Sequence, residues 1–366
     1  MEVFLDNAAT TPLSPVVKQA IIDNLDEFGN PSSVHLIGRR ARIKVEEARE
    51  NIASIINADP GEVLFTSGAT ESNNWVIHQD WYDYKFISNI EHPSIFNLLC
   101  TWDNIQADKD GIVRDASRRP YSNQFDFLTS IMMVNNELGT INPIKELCEA
   151  VHKNCGKFHC DMTQAIPHMK VDIKDLAVDT ASFSAHKFNG PKGVGVLFER
   201  QGYGIDPLIL GGKQEFEKRA GTENVLGIIA MALAFEDTVL HMDETNEKIT
   251  YLSTLLEENI LNITGVYDNV LAPKSSRIPG VFNLRIDGCK GADIVALASE
   301  YGICISSGSA CHSGDHRPSH VLKAIGLTDE QALSSIRISL GRFNTEQDID
   351  YFCKIFPNIV KQLRFV

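Results

Sequence analysis

The sequence predicts an α/β protein: a mostly parallel sheet flanked by helices in a large domain, joined to a smaller α+β domain. Short β-branched or aromatic runs alternate with amphipathic helical stretches from about residue 50 to 200, which is the signature of βαβ units. After Gly221 that alternation gives way to longer helices and fewer strands. A length of 366 residues, 43% of them hydrophobic and 22% charged, supplies a large core and excludes bulk disorder.

The strands are read in order as Val63-Leu64-Phe65, Phe86-Ile87, Ile131-Met132-Met133-Val134, Phe158-His159-Cys160, a run ending at Ser184, and Val194-Gly195-Val196-Leu197-Phe198. Between them, Gly38–Ile56 carries Ile43, Val45, Ala48, Ile52, Ile55 and Ile56 as its apolar positions, and a second helix covers Pro143–Lys153. Asn224–Glu258 reads as a long helix broken near His241. Val281–Ile286 and Cys304-Ile305-Ser306 read as strands, with helices from Ala292 and around Val321 and Glu346.

The charge balance is 34 basic against 48 acidic residues, net −14, with no Lys/Arg block. Direct nucleic-acid or anionic-membrane binding is therefore not expected. No apolar run reaches membrane-spanning length, and the start MEVFLDNAATTP has no signal-peptide pattern. The eight cysteines form no CxxC pair, so reduced thiols in a cytoplasmic setting are expected. Cys100, Cys148, Cys155, Cys304 and Cys353 read as small buried hydrophobes, with Cys160 and Cys289 open.

Three stretches carry chemistry. In Val63-Leu64-Phe65-Thr66-Ser67-Gly68-Ala69-Thr70-Glu71-Ser72-Asn73-Asn74 an apolar strand turns through small residues into a helix, whose first N–H groups make an anion seat. The plainer alternative is that Ser67 or Thr70 only caps the helix. No GxGxxG or GxxxxGK[ST] is present to imply a nucleotide. Asp161 closes the strand after Lys157, where a buried carboxylate needs donors or a cation. Lys187 follows another strand in Ser184-Ala185-His186-Lys187. A lone lysine there is usually a solvated rim residue. An anion seat, a strand-end Asp and a strand-end Lys, in that order in one sheet, are instead what pyridoxal phosphate requires.

With these stretches stand Leu5-Asp6-Asn7-Ala8-Ala9-Thr10-Thr11-Pro12, Asn30-Pro31-Ser32-Ser33 with His35, Glu91-His92, Asn135-Asn136-Glu137-Leu138-Gly139-Thr140, Ala220-Gly221-Thr222-Glu223-Asn224, Ser306-Ser307-Gly308-Ser309-Ala310-Cys311 and Ile336-Arg337-Ile338-Ser339-Leu340-Gly341-Arg342. In this order they resemble the cysteine desulfurases, fold-type I pyridoxal 5'-phosphate enzymes, over nearly the whole chain. The resemblance implies that Lys187 binds the cofactor through its amine and shuttles protons. Asp161 would pair with the ring nitrogen, His92 stack on the ring, and Gln164 bond the ring oxygen. Asn136 would orient ring and substrate. Ala69, Thr70, Ser184 and His186 would hold the phosphate, joined by Thr222 from a second subunit, so a homodimer with shared active sites is implied. Arg337 would fork onto the carboxylate of L-cysteine. Cys311 would accept the sulfur as a persulfide, release L-alanine and pass the sulfur to an acceptor protein.

The small polar neighbours of Cys311 favour a solvent-reachable loop, and His312 and His316 would raise its thiolate fraction if the fold brings them to it, a placement the sequence alone does not set. A metal site from Cys311, His312, His316 and His320 is not expected, because Gly314 and Pro318 oppose the helix that i,i+4 ligation would use. The large cofactor domain is placed at 13–245. The small domain takes 1–12 and 246–366, bringing Arg337 and the Cys311 loop over the cofactor.

Three alternatives stand beside this reading. Cys311-His312-Ser313 with Pro318-Ser319 is similar to the selenocysteine lyase branch. An aminotransferase would leave Cys311 without a purpose, and an inactive relative would not keep every reactive residue. Desulfurases that feed an iron–sulfur scaffold usually continue beyond the helix that here ends near Arg364. On that expectation tRNA thiolation, DNA phosphorothioation or a dedicated carrier compete with the scaffold as destinations.

Overall fold

The structure is a computed structural model that describes residues 1–98, 103–121, 125–307 and 317–364. The chain opens in the smaller lobe, where β1 (Val3–Phe4) lies parallel to residues Ile303–Cys304. It then crosses to a sheet with seven strands among the described residues: β2 (Val63–Thr66), β3 (Tyr84–Ser88), β4 (Asp103–Ile105), β5 (Phe127–Ser130), β6 (Lys157–Asp161), β7 (Thr180–Ser184) and β8 (Gly195–Glu199). Their spatial order is β2-β8-β7-β6-β5-β3-β4, and only β8 runs against the others. Every residue of β2, β5, β7 and β8 is buried, as in a sheet covered on both faces.

One cover is built from three helices. Leu36–Ile55 buries Ala41, Val45, Ala48 and Ile52, a 3.6-residue stripe. Val225–Leu240 is apolar nearly all round and packs on Leu36–Ile55 and on Pro15–Asp23, which starts with a Ser14 cap and Pro at its first position. At His241 the chain bends by 67° into Met242–Ile260. Among the described residues no single helix is long and apolar enough to cross a membrane.

The smaller lobe holds β9 (Val266–Asp268), β10 (Val281–Ile286), β11 (Ile303–Cys304) and β12 (Ser335–Ser339), with β12-β10-β9 antiparallel. Val3 and Leu5 share its core with Leu252, Leu256, Ile286, Ile338, Phe352 and Phe356.

Several expectations shift. The strand read at Ile131–Val134 lies at Phe127–Ser130. The N–H groups of Ile131 and Met133 still bond His159 and Asp161 carbonyls, so the chain keeps running along β6. Ile43 is exposed, because it sits two residues from Ala41 and so falls on the opposite side of a helix whose buried stripe is 41, 45, 48 and 52. Cys155 is exposed at φ 62°, just past the helix Ile144–Lys153, in the left-handed position that ends many helices. Cys304 and Cys353 are half-buried, whereas Cys148, Cys160 and Cys289 are buried. Cys100 lies outside the described residues.

Candidate active site

The C-terminal ends of the parallel strands deliver the site, as the topology of an α/β sheet requires. β2 leads into Ser67-Gly68 and the helix Ala69–Ile77. β3 leads to Glu91-His92, β5 to Met132 and Asn136, β6 ends on Asp161, and β7 ends on Ser184 before a turn through Lys187. Ser67, Gly68, His92, Met132, Asn136, Asp161, Ser184 and Lys187 line a cavity of about 420 Å³, together with Ala69, Thr70, Gln164, His186 and Arg337.

Neither Ser67 nor Thr70 caps the helix. The cap is Gly68, at φ 148° and with no side chain to satisfy the helix start. The first N–H groups, at Ala69 and Thr70, have no carbonyl within the helix to bond. Both residues line the cavity, so their N–H groups have the chemistry of an anion seat there. Close approach explains the glycines: a Cβ on Gly195 would stand 2.6 Å from the Gly68 Cα, and one on Gly68 would stand 3.3 Å from Ser184 Oγ. Glu71 accepts the Ser67 N–H at 2.8 Å and pairs with Arg219 at 2.9 Å. Burial opposes its charge, yet Arg219 and Ser67 hold its carboxyl below the usual range.

Lys187 Nζ donates to the carbonyls of Ala8 at 2.6 Å and Ala9 at 2.8 Å. Gln164 Nε2 donates to the same Ala8 carbonyl at 2.9 Å. His186 Nδ1 meets Thr10 Oγ1 at 3.2 Å. Burial, then the charges of Lys187 and Lys192, push its imidazole down to about 4, so it is neutral at pH 7.

Asp161 is buried. Its Oδ2 accepts from Asn73 Nδ2 at 2.8 Å and its Oδ1 from the Thr163 N–H at 3.0 Å. His92 caps the short helix Pro93–Phe96: its Nδ1 accepts from the Ser94 N–H at 3.1 Å and lies 2.8 Å from Ser94 Oγ. Below them Glu91 is fully buried. Burial pushes its carboxyl up to about 8, with hydrogen bonds from Ser88 and Met132 opposing.

Arg337 sits on β12 with its side chain 1% exposed. One terminal nitrogen meets Asp6 Oδ1 at 2.7 Å and the other donates to the Asn136 carbonyl at 3.0 Å. Its Nε is buried with no hydrogen-bond partner among the described residues. A fork held on one side by a carboxylate is suited to take a second carboxylate from the cavity.

Thr222 does not line this cavity. It is exposed, in a neighbouring hollow that shares Ser67 and Gly193 with the cavity. Cys311, His312 and His316 lie outside the described residues. The described chain on either side reaches the site: Ser306 exchanges backbone hydrogen bonds with Arg337, and Ser319 Oγ donates to buried Glu137 at 2.6 Å. His320 stacks on Phe96 at 4.0 Å and bonds the Glu91 carbonyl at 2.9 Å.

Sequence reasoning gave no role to Asp6, Thr10, Asn73, Ser94 or Lys192. Asp6 and Thr10 stood in a quoted motif, but their partners are 331 and 176 residues away. Asn73 and Ser94 look like ordinary helix residues until the fold joins them.

An anion seat, a lysine amine and a buried carboxylate facing one cavity fit pyridoxal 5'-phosphate, whose phosphate, aldehyde carbon and ring nitrogen they match in chemistry. Known proteins agree. A cysteine desulfurase IscS from Dictyoglomus turgidum is 41% identical, covering 100% of this chain and 96% of its own. The NifS-like protein of Rickettsia africae superposes with a TM-score of 0.91 at 33% identity, covering 99% of this chain and 100% of that one. A structure of SspA in complex with cysteine superposes at 0.79 with 30% identity, over 94% of this chain and all of that one. The profile of aminotransferase class-V enzymes matches residues 3–352, and the chain belongs to that pyridoxal-phosphate family.

Proposed function

We propose that this enzyme is a cysteine desulfurase that moves the sulfur of L-cysteine to Cys311 and releases L-alanine. The observation that carries the reading is the cavity in which Lys187, Asp161, the Ala69–Thr70 seat and the buried Arg337 fork meet. The relative named cysteine desulfurase and the neighbour solved with cysteine support it.

Arg337 binds the substrate carboxylate through its fork, with Asp6 holding the guanidinium in place. Asn136, whose carbonyl already holds Arg337, keeps the substrate beside the cofactor. Bound pyridoxal phosphate supplies an electron-withdrawing ring that acidifies the substrate's α-carbon. Lys187 would hold the cofactor through its amine, and its Nζ would take the α-proton. The neutral His186, with Ser184 and the helix N–H groups, would hold the phosphate. The Cys311 thiolate then bonds to the substrate sulfur as the carbon–sulfur bond breaks. The electron pair of that bond stays with carbon, which takes a proton and leaves as alanine, while the persulfide remains for an acceptor thiol.

We also assign the large domain to 13–245 and the small domain to 1–12 with 246–366. The separate cluster of Val3 and Leu5 with residues 249–360 supports that division, and Val270, Val281, Val321 and Leu322 pack across the seam into the larger core. A homodimer is supported by strongly exposed Phe28, Val34, Leu36 and Leu210, and by Thr222 standing outside its own chain's cavity. The sulfur acceptor is taken to be a protein thiol, and the compartment the reducing cytoplasm that persulfide chemistry needs.

Purified protein with pyridoxal phosphate is expected to absorb visible light and form alanine from L-cysteine. Lys187→Ala should lose both, and Cys311→Ser should lose alanine formation while keeping the colour. Protein that stays colourless with added cofactor, or a coloured Lys187→Ala, overturns the reading. Much faster turnover of L-selenocysteine would make selenocysteine cleavage the main activity. Light scattering should give twice the chain mass.

A further inference from the structure

We infer that Asn73 is a positioning residue that aims Asp161 and His92 together through one amide. The inference rests on the reading that Asp161 meets the cofactor's ring nitrogen and His92 its face. Asn73 is fully buried on the helix Ala69–Ile77, behind the cavity wall. Its Nδ2 donates one hydrogen to Asp161 Oδ2 at 2.8 Å and the other to Ser94 Oγ at 2.9 Å. Its Oδ1 lies 3.0 Å from His159 Nε2. Both hydrogens and the oxygen of the amide are therefore engaged.

The hydrogen directions close without ambiguity. A carboxylate only accepts, so the amide must turn its NH₂ toward Asp161 and its oxygen toward His159. His159 must then carry its proton on Nε2, leaving Nδ1 to accept from Thr180 Oγ1 at 2.9 Å. Ser182 Oγ also lies 3.5 Å from that Nε2. Burial pushes this imidazole down to about 4, against the pull of Asp161, so it is neutral and keeps one donor and one acceptor. On the other side Ser94 Oγ, having accepted from Asn73, gives its own hydrogen to His92 Nδ1 at 2.8 Å. The Ser94 N–H bonds the same Nδ1, so the His92 proton sits on Nε2. The chain Thr180–His159–Asn73 thus branches to Asp161 and, through Ser94, to His92. With the amide removed, Asp161 keeps the Thr163 N–H on Oδ1 but loses its donor on Oδ2. The carboxylate is then free to rotate away from the ring, and the ring nitrogen loses the partner that keeps it protonated.

The test uses the holoenzyme loaded with pyridoxal phosphate carrying 15N in its ring. Asn73→Leu keeps the branching and the number of side-chain heavy atoms and removes both donors and the acceptor. It is expected to melt within a few degrees of wild type as apoprotein, to bind the cofactor roughly tenfold to a hundredfold more weakly, and to shift the ring 15N resonance toward the unprotonated position. A purely packing role would not move that resonance. Asn73→Ser, which leaves space for water to restore the donors, should fall between the two. If the leucine variant does not fold, the serine variant decides by the same resonance. In wild type alone, NMR should find His159 as the Nε2–H tautomer. A protonated ring in wild type with no change in the variants overturns the inference, as does His159 protonated on Nδ1. An unprotonated ring in wild type overturns instead the assignment of Asp161.

Discussion

Arg337 is the residue whose neighbours say most about its task. Few guanidinium groups are sunk to 1% exposure, and this one is anchored by Asp6 and the Asn136 carbonyl while Nε has no hydrogen-bond partner among the described residues. A buried unpaired donor is costly, and an arriving carboxylate would remove that cost. Arg337→Lys keeps a charge for Asp6 but loses the planar fork. The Michaelis constant for L-cysteine is expected to rise roughly tenfold to a hundredfold, with the visible absorbance unchanged. An unchanged constant would dissociate Arg337 from substrate. Lys187 and Asp161 were legible in the sequence because each closes or follows an apolar strand, where a polar residue has no structural reason to be, whereas Arg337 was singled out only by the motif resemblance. Asp6 and Asn73 were not, because their meaning comes from partners 331 and 88 residues away.

At the scale of elements, the strand–turn–helix at 63–77 shows how a local sequence becomes a binding surface. Thr66 Oγ1 and Ser72 Oγ lie 2.9 Å apart and tie the strand end to the first turn, leaving Gly68 in a conformation that side chains avoid. Gly68→Ala should cost roughly 1–3 kcal/mol of stability, and its Cβ would press on Ser184 Oγ at 3.3 Å, inside the anion seat. We expect cofactor affinity to fall about tenfold. Gly202→Ala is the control: it also sits at positive φ, 84°, but its Cβ would meet nothing within 4 Å. Titration calorimetry with pyridoxal phosphate should separate the two, and equal affinity losses would remove the argument from geometry. Most helices were legible from periodicity, even Glu346–Arg364 with Pro357 inside it, because Ile349, Phe352, Phe356, Ile359 and Val360 pack one face into the small-lobe core. Ile43 and β5 were misplaced for a related reason. An apolar residue or run states that burial is available, and only the packed neighbours decide which face or which four residues take it.

The whole molecule hides its titratable groups in two opposite senses. His159 is fully buried and His168 half-buried, and burial pushes both from an ordinary 6.5 down to about 4. Glu91 is pushed by burial from 4.5 up to about 8. Below pH 6.5 the unfolded chain takes protons on the two imidazoles that the folded chain refuses, so stability falls as pH drops toward 4. Between pH 4.5 and 8 the folded chain instead holds the Glu91 proton that the unfolded chain releases, so this group removes stability as pH rises. With His186, which burial also pushes down to about 4, three imidazoles outweigh the carboxyl on the acid side, and Glu91 drives the decline above 6.5. Below about pH 4 Asp179 adds a further loss, because hydrogen bonds from His152 and Phe158 overcome its burial and hold its carboxyl below the usual range. The stability curve should therefore be a dome with its top near pH 6 to 7, read by thermal melts across pH 4.5 to 8.5. Glu91→Gln keeps the acceptor for the Ser88 hydroxyl and the Met132 N–H but cannot ionise. It should flatten the limb between pH 6.5 and 8 and leave the acid limb in place. Wild-type melts that match at pH 6.5 and 8, or a Glu91→Gln variant that keeps the alkaline decline, would show that this buried carboxyl does not set that side of the curve.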